Sequence, residues 1–189
     1  DGGSVKINAS NNISVDGRVT DSLEDGSARS VPTSISSGIG PGIKGNAGII
    51  DITTKSLSVT NSAQVGAVIQ GEGNGGSVKI NASDTLSIDG RVDGLSLTGE
   101  KQSFPSSIAT EIEPTGKGNG GNVEITAKNL SLTNGGKISS SQVAEGQTGG
   151  NIILNVKDVL SLRGGSFISS QATGEASGGN IKIDAKDGF

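Results

Sequence analysis

Six glycines, each preceded by another glycine or by alanine, recur along the chain at Gly3, Gly48, Gly76, Gly121, Gly150 and Gly179, at intervals of 45, 28, 45, 29 and 29 residues. A recurrence of this length constrains the fold more than any single residue does. Each unit is too small to bury its own apolar side and must stack on copies of itself. A first feature follows every glycine, and two more follow the first five. First comes an alternation of apolar and polar residues, as in Val5-Lys6-Ile7-Asn8-Ala9, Val78-Lys79-Ile80-Asn81-Ala82 and Val123-Glu124-Ile125-Thr126-Ala127. A second short alternation lies nine or ten residues beyond the glycine: Ile13-Ser14-Val15, Leu57-Ser58-Val59, Leu86-Ser87-Ile88, Leu130-Ser131-Leu132 and Leu160-Ser161-Leu162. A turn pair such as Asp16-Gly17, Asn61-Ser62 or Asn134-Gly135 closes it. A third run follows, clearest in Lys137-Ile138-Ser139-Ser140-Ser141 and Phe167-Ile168-Ser169-Ser170. Period-two alternation bounded by Gly, Asn and Asp predicts strands and tight turns. No stretch has a helical period.

The two 45-residue units are themselves related. Residues 18–48 align without gaps on 91–121, placing Pro32 over Pro105, Ile35 over Ile108, Pro41 over Pro114 and Lys44 over Lys117. A 73-residue super-repeat of one long and one short unit therefore underlies the chain, followed by two short units. The extra length, about 17 residues, falls just before the third strand. Insertions near 20–33 and 93–106 are thus expected to leave as loops from one corner of the stack, about 10 Å apart along it.

Average composition alone points towards disorder. AVILMFWYC residues make up 31%, aromatics 2%, and there are 32 glycines, a hydrophobicity too low to offset the entropy of folding in most chains. Periodic placement reverses that expectation. If each unit is one coil of a parallel β-helix, every strand pairs with its counterpart in the next coil about 4.8 Å away. A few inward side chains per coil then suffice. Val5, Ile7 and Ala9 point inward, and Lys6 and Asn8 outward. The middle serines Ser14, Ser58, Ser87, Ser131 and Ser161 are expected to form an exposed hydroxyl row. Asn46, Asn74 and Asn119 either stack as a partial amide ladder or serve simply as turn formers beside glycine.

The net charge is −4, and the 15 basic residues are scattered without an aromatic platform, which argues against nucleic acid. No apolar run reaches 18 residues, so no membrane insertion is expected in this segment, and no signal-peptide pattern is present. The chain opens and stops within the repeat pattern, as expected of a segment of something longer. Zero Cys leaves the redox compartment open. With no His and no Cys, a Ser-His-Asp triad, a thiol nucleophile and a typical zinc site are excluded. Gly71-Gly73-Gly76 and Gly116-Gly118-Gly121 fit G-x-G-x-x-G, but a strand follows where a phosphate site needs a helix, so they read as corner turns. Carboxylate chemistry on polysaccharide would call on Asp21, Glu24 and Asp25 in the first insertion and Asp93 in the second. The first three align with Gly94, Leu97 and Thr98, so the cluster does not recur and reads as a solvated loop. Phe104 and Phe167 read as core or anchor residues. Asn-x-Ser triplets at Asn8, Asn12, Asn81 and Asn129 are as frequent as chance provides. Asp-Gly-Arg at 16–18 and 89–91 reads as a turn with a solvated Arg. The expectation is no enzyme, with no catalytic, cofactor-binding or metal-binding residue and no cofactor.

The string GNGGNVEITAKNLSLTNGGKISSS at 118–141, together with the longer unit carrying DTLSIDG at 84–90, resembles the repeats of filamentous-haemagglutinin-like large exoproteins, the cyanobacterial type above all. The resemblance covers essentially the whole chain. It implies an all-β fold, a right-handed parallel β-helix (β-solenoid) of about five to six coils of three short strands. Residues 1–189 would form a single segment with repeat starts near 2, 47, 75, 120, 149 and 178. It further implies secretion through an outer-membrane transporter and an extracellular or cell-surface role as a structural or adhesive stalk or fibre. The amino-terminal secretion domain of such proteins has no counterpart in these residues. Expected partners are further coils of the same parent chain, copies of the segment stacked end to end, and a surface polysaccharide. The competing expectation is a carbohydrate-active or carbohydrate-binding β-helix that uses the inserted loops.

Overall fold

Valine, isoleucine and threonine in alternation with polar residues favour extended backbone. Each glycine-anchored unit turns that preference into the same succession of strands in the computed structural model, which describes residues 1–17, 21–22, 28–29, 33–95, 100–142, 148–172 and 177–188. The first unit holds β1 (Val5–Asn8), β2 (Asn12–Asp16), the short pair β3 (Asp21–Ser22) and β4 (Ala28–Arg29), and β5 (Ser34–Ile39). The second holds β6 (Ile49–Thr54), β7 (Ser56–Thr60) and β8 (Gln64–Ile69). The third holds β9 (Ser77–Asp89), β10 (Arg91–Leu95), β11 (Lys101–Pro105) and β12 (Ser107–Ile112). The fourth holds β13 (Val123–Thr133) and β14 (Lys137–Gln142), the fifth β15 (Ile152–Leu162) and β16 (Phe167–Ala172), and β17 (Ile181–Gly188) opens the last. The chain is all-β, with no helix among the described residues.

Like strands of successive units pair in parallel. An eight-stranded sheet runs β1-β6-β9-β13-β15-β17, with β2 and β7 paired beside β9. A five-stranded sheet runs β5-β8-β12-β14-β16. In both, order in space follows order in sequence. The register is the one the repeat dictates: Ile7, Ile52, Ile80, Ile125, Leu154 and Ile183 form one inward column. Ile35, Val65, Ile108, Ile138 and Ile168 form another on the opposing sheet. These columns, apart from Ile183, meet in one hydrophobic cluster, in which Ile50, Ile80, Leu86, Ile125 and Leu130 are fully buried.

Two features depart from separate short strands joined by plain loops. In the third, fourth and fifth units the first and second strands run together as β9, β13 and β15, with a register shift between Ala127 and Leu130. Ala127 and Leu130 lie three positions apart while their partners Val156 and Leu160 lie four apart, and a bulge takes up the extra residue without disturbing the pairing on either side. The insertions, for their part, are hairpins. β10 pairs antiparallel with β11 and β3 with β4. Leu95 of β10 pairs in parallel with Arg29 of β4, so both insertions join in a separate sheet, β11-β10-β4-β3. The Asp89-Gly90 turn does not fold β10 back on β9.

The glycine anchors are explained by contact between units. A Cβ on Gly48 would overlap the carbonyl oxygen of Gly3, and the same holds for Gly76 on Gly48, Gly121 on Gly76, Gly150 on Gly121 and Gly179 on Gly150. Backbone meets backbone at this corner in every unit, and only glycine leaves room. Hydroxyls of the third strand satisfy the polar groups there. Ser37 Oγ donates to Gly3 O (2.7 Å) and accepts from Gly48 N (3.0 Å). Ser170 Oγ joins Gly150 O and Gly179 N in the same way, at 2.9 and 3.0 Å. Thr110 and Ser140 both donate to Gly121 O, at 2.7 and 2.9 Å. These serines and threonines are inward residues with a hydrogen-bonding duty, which is how buried polar groups are tolerated.

Candidate functional site

Parallel in-register pairing brings equivalent residues of neighbouring units to within about 4.8 Å. A strictly repeated charge would therefore stack on itself. The outward columns avoid this by alternating. Lys6, Asp51, Lys79, Glu124, Ile153 and Lys182 form one column, and Asn8, Thr53, Asn81, Thr126, Asn155 and Asp184 the next. Lys79 Nζ lies 3.9 Å from Glu124 Oε2. At a corner, Lys44, Glu72 and Lys117 are bridged in parallel, with Lys44 Nζ 2.7 Å from Glu72 Oε2. The alternation follows from the 73-residue super-repeat, which lets adjacent units differ while alternate ones match.

The hydrogen bond from Lys44, reinforced by its charge, holds the Glu72 carboxyl below its ordinary 4.5, and the same contact holds Lys44 above its ordinary 10.5. The share of stability from Glu72 is thus present above pH 4.5 and lost as pH falls through the lowered value. That from Lys44 is full below pH 10.5 and lost as pH rises through the raised one. Both groups are fully exposed, so the effect is small and salt-sensitive. In low salt, Glu72→Gln is expected to leave the thermal midpoint near that of the parent at neutral pH and to flatten its fall below about pH 4.5. Two acid limbs that superimpose would show that the pair contributes nothing.

Amide ladders line the corners. Asn74 N donates to Asn46 Oδ1 (2.9 Å), Asn119 Nδ2 to Asn74 Oδ1 (3.1 Å), and Thr148 Oγ1 to Asn119 Oδ1 (3.1 Å). Of the two sequence readings of Asn46, Asn74 and Asn119, the ladder is the one present. A second ladder, Asn122 to Asn151 to Asn180, runs through backbone N–H groups at 2.9 Å each. At the turn, Asn61 Nδ2 donates to Asp16 Oδ1 and Asn134 Nδ2 to Asp89 Oδ1, both at 2.8 Å. Asn61 and Asn134 have φ of 53° and 51°, the left-handed region that Asn tolerates. Asn134→Asp would set one carboxylate directly on another. We expect a loss of about 0.5–1 kcal/mol, read from the urea midpoint at neutral pH in low salt. An unchanged midpoint would show that the Asp89–Asn134 contact carries no weight.

The outer face of the five-stranded sheet is not flat. β5, β8 and β12 form a groove of about 380 Å³. Its floor is low because Gly66 has no side chain and the 8%-exposed Ala109 has only a methyl group. Gln64, Gln70, Glu111 and Glu113 border it. Lys137 of the next strand reaches back to Glu111, Nζ to Oε1 2.6 Å, in a pair whose side chains are only 20% and 34% exposed. Ser139 Oγ lies 3.4 Å from the same carboxylate oxygen. One strand further on, in register with Lys137, Phe167 is 44% exposed.

The acids singled out by sequence sit elsewhere. Asp21 is on β3 and Asp93 on β10, with β4 between them, and Asp93 Oδ1 is 4.0 Å from Arg91 Nε. Glu24 and Asp25 lie outside the described residues. Among the described residues no group of three acids is placed to hold a metal ion. Phe167 is turned outward, against the expectation of a core or anchor residue, because Ile168 takes the inward position. Phe104 is half-buried, opposite Val92 in the hairpin. The G-x-G-x-x-G runs are followed by β9 and β13, and at Gly73 and Gly118, with φ of 155° and 144°, the backbone of one unit touches that of the previous one. Of the serines expected to form an exposed row, only Ser14 is exposed, and Ser58, Ser87, Ser131 and Ser161 are half-buried, each with paired strands beside it. Asn8, Asn12 and Asn81 are exposed and Asn129 is half-buried. Neither Glu111 nor Glu113 stands out in the sequence, because the third strand of a long unit follows the insertion and its period is short. The signal that finds them is the alignment of Glu111 with Ser141 and Gln171 at one outward position.

No protein-family model, curated protein or solved structure matches the chain.

Proposed function

We propose that the chain is a structural and adhesive segment, a stalk or fibre, of a secreted or cell-surface exoprotein of the filamentous-haemagglutinin-like kind, and that it catalyses no reaction. In this reading the units wind as a right-handed parallel β-helix of about five to six coils. The observation that carries it is the unbroken succession of parallel strand pairs from β1 to β17. A chain paired this way adds length with every unit while burying only a few side chains each time. The alternating outward columns support it too, since they keep a long repetitive surface soluble without like-charge stacking. Partners are further coils of the parent chain and, through the outer edges of β1 and β17, which pair with nothing among the described residues, other copies of the segment.

The test joins shape and adhesion. The purified segment, about 24 Å along its six stacked strands, should form particles that lengthen by end-to-end stacking as its concentration rises, and cells displaying it should attach to a polysaccharide film under flow better than cells displaying a Gly121→Val form. A particle of the same size at every concentration would remove the fibre, and equal attachment would remove the adhesive role. The groove favours a second reading, a carbohydrate-active β-helix, with Glu111 and Glu113 as its acids. Release of reducing ends from a polysaccharide, abolished in Glu113→Gln, would favour that reading over the first.

A further inference from the structure

We propose that the outer face of the five-stranded sheet binds a neutral polysaccharide, laid across the strands from the groove between Gln64 and Gln70 to the ring of Phe167. This rests on the adhesive part of the function proposed above and gives it a site and a ligand class. Shape is the first support. The floor at Gly66 is fixed, because a Cβ there would overlap the carbonyl oxygen of Ala109, so the depression belongs to the backbone and is present before any ligand arrives. A concave, pre-formed site with a few placed polar groups is what small-ligand binding requires.

The lining supplies the second support. Glutamine amides donate and accept at once, as sugar hydroxyls do, and carboxylates accept from neighbouring hydroxyls. Glu111 is held in place by Lys137, so less side-chain freedom is lost on binding. The third support is Phe167. Its position is in register with Lys137 and, one strand before that, with Ser107 at the groove wall. It therefore stands about 10 Å along the stack from that wall, on the same face. An exposed aromatic ring offers the apolar face of a pyranose a surface to lie on. From β5 to β16 the face spans about 19 Å, long enough for several sugar units of an extended chain.

Charge selects the class. Glu111 and Glu113 are the ionisable side chains among the groove-lining residues, and Lys137 neutralises the first. The remaining carboxylate leaves the groove negative, which disfavours uronate and sulfated polymers and leaves neutral ones.

The test is calorimetric titration of the whole segment with cellohexaose, maltohexaose and mannohexaose, and with an alginate hexamer as the anionic probe, alongside sedimentation of the same sample. At least one neutral hexasaccharide should bind with a Kd of about 1 mM. Phe167→Ala should weaken that binding about fivefold, and Gln64→Ala with Gln70→Ala about tenfold. Lys79→Ala, on the other sheet, should leave it unchanged. Circular dichroism and the urea midpoint of each variant show whether the fold is retained, and Phe167→Ser serves as a second ring-less variant. Three results would overturn the proposal: no neutral hexasaccharide bound at about 10 mM, binding indifferent to the groove and Phe167 variants, or tighter binding of alginate. A segment that fails in any of these ways but still lengthens with concentration loses the groove assignment and keeps the fibre.

Discussion

Gly121→Ala is expected to cost at least about 3 kcal/mol, and Gly3→Ala close to nothing, although both glycines fill the same place in the repeat. Gly121 has the backbone of the preceding unit against it. A Cβ would overlap the carbonyl oxygen of Gly76 and crowd the carbonyl carbons of Gly76 and Gly75. Overpacking usually costs about 1–3 kcal/mol where side chains can shift. Here the obstacle is backbone that can yield only by opening the parallel ladder. At Gly3, nothing lies within 4 Å of the added atom. Alanine there narrows the unfolded ensemble and, if anything, stabilises slightly. Against a total of about 5–15 kcal/mol for a domain, the first loss is a large fraction. Urea midpoints of the two variants decide it. Equal shifts would mean that the glycines recur for reasons other than contact between units.

That contrast also shows what the sequence could reveal. The anchors announced the stacking, because identical neighbours 28 to 45 residues apart had only one economical way to bury Val, Ile and Leu. The inward columns followed from period two alone, as at Ile7, Ile52 and Ile80. The hairpins did not follow. Residues 91–105 carry Gly94 and Pro105 among mixed residues, and their pairing depends on a second insertion two units away, to which β10 reaches through Leu95 and Arg29. The fusion of first and second strands was hidden for a similar reason. A bulge shows in sequence only as a one-residue wobble in spacing, nine here and ten there. The groove was the least legible feature. It arises from small residues at one outward position, Gly66 and Ala109, and composition gives no sign that a neighbouring glutamate will be pinned by a lysine one unit later.

Ile125→Ala and Ile183→Ala remove the same atoms from the same inward column, yet their effects should differ about fourfold. Ile125 is fully buried between Ile80 and Leu154. Truncation there leaves a closed cavity with no neighbour free to collapse into it, and such changes cost about 2–5 kcal/mol. We expect about 4. Ile183 is 37% exposed and, among the described residues, pairs with Leu154 alone. Part of its side chain is already in water and the void opens to solvent, so about 1 kcal/mol is expected. The interior substitution should also change the form of the transition. In a stack, each unit is stabilised mainly by its two neighbours. Weakening both interfaces of β13 therefore separates the units before it from those after it. Each part then exposes less surface on unfolding than the whole, and the denaturant slope m falls with it. Ile125→Ala is thus expected to lower both midpoint and slope, and Ile183→Ala the midpoint only, slightly. Equal midpoint shifts with unchanged slopes would mean that the chain unfolds as one undivided core, and its units would then not be energetically linear however regular their register.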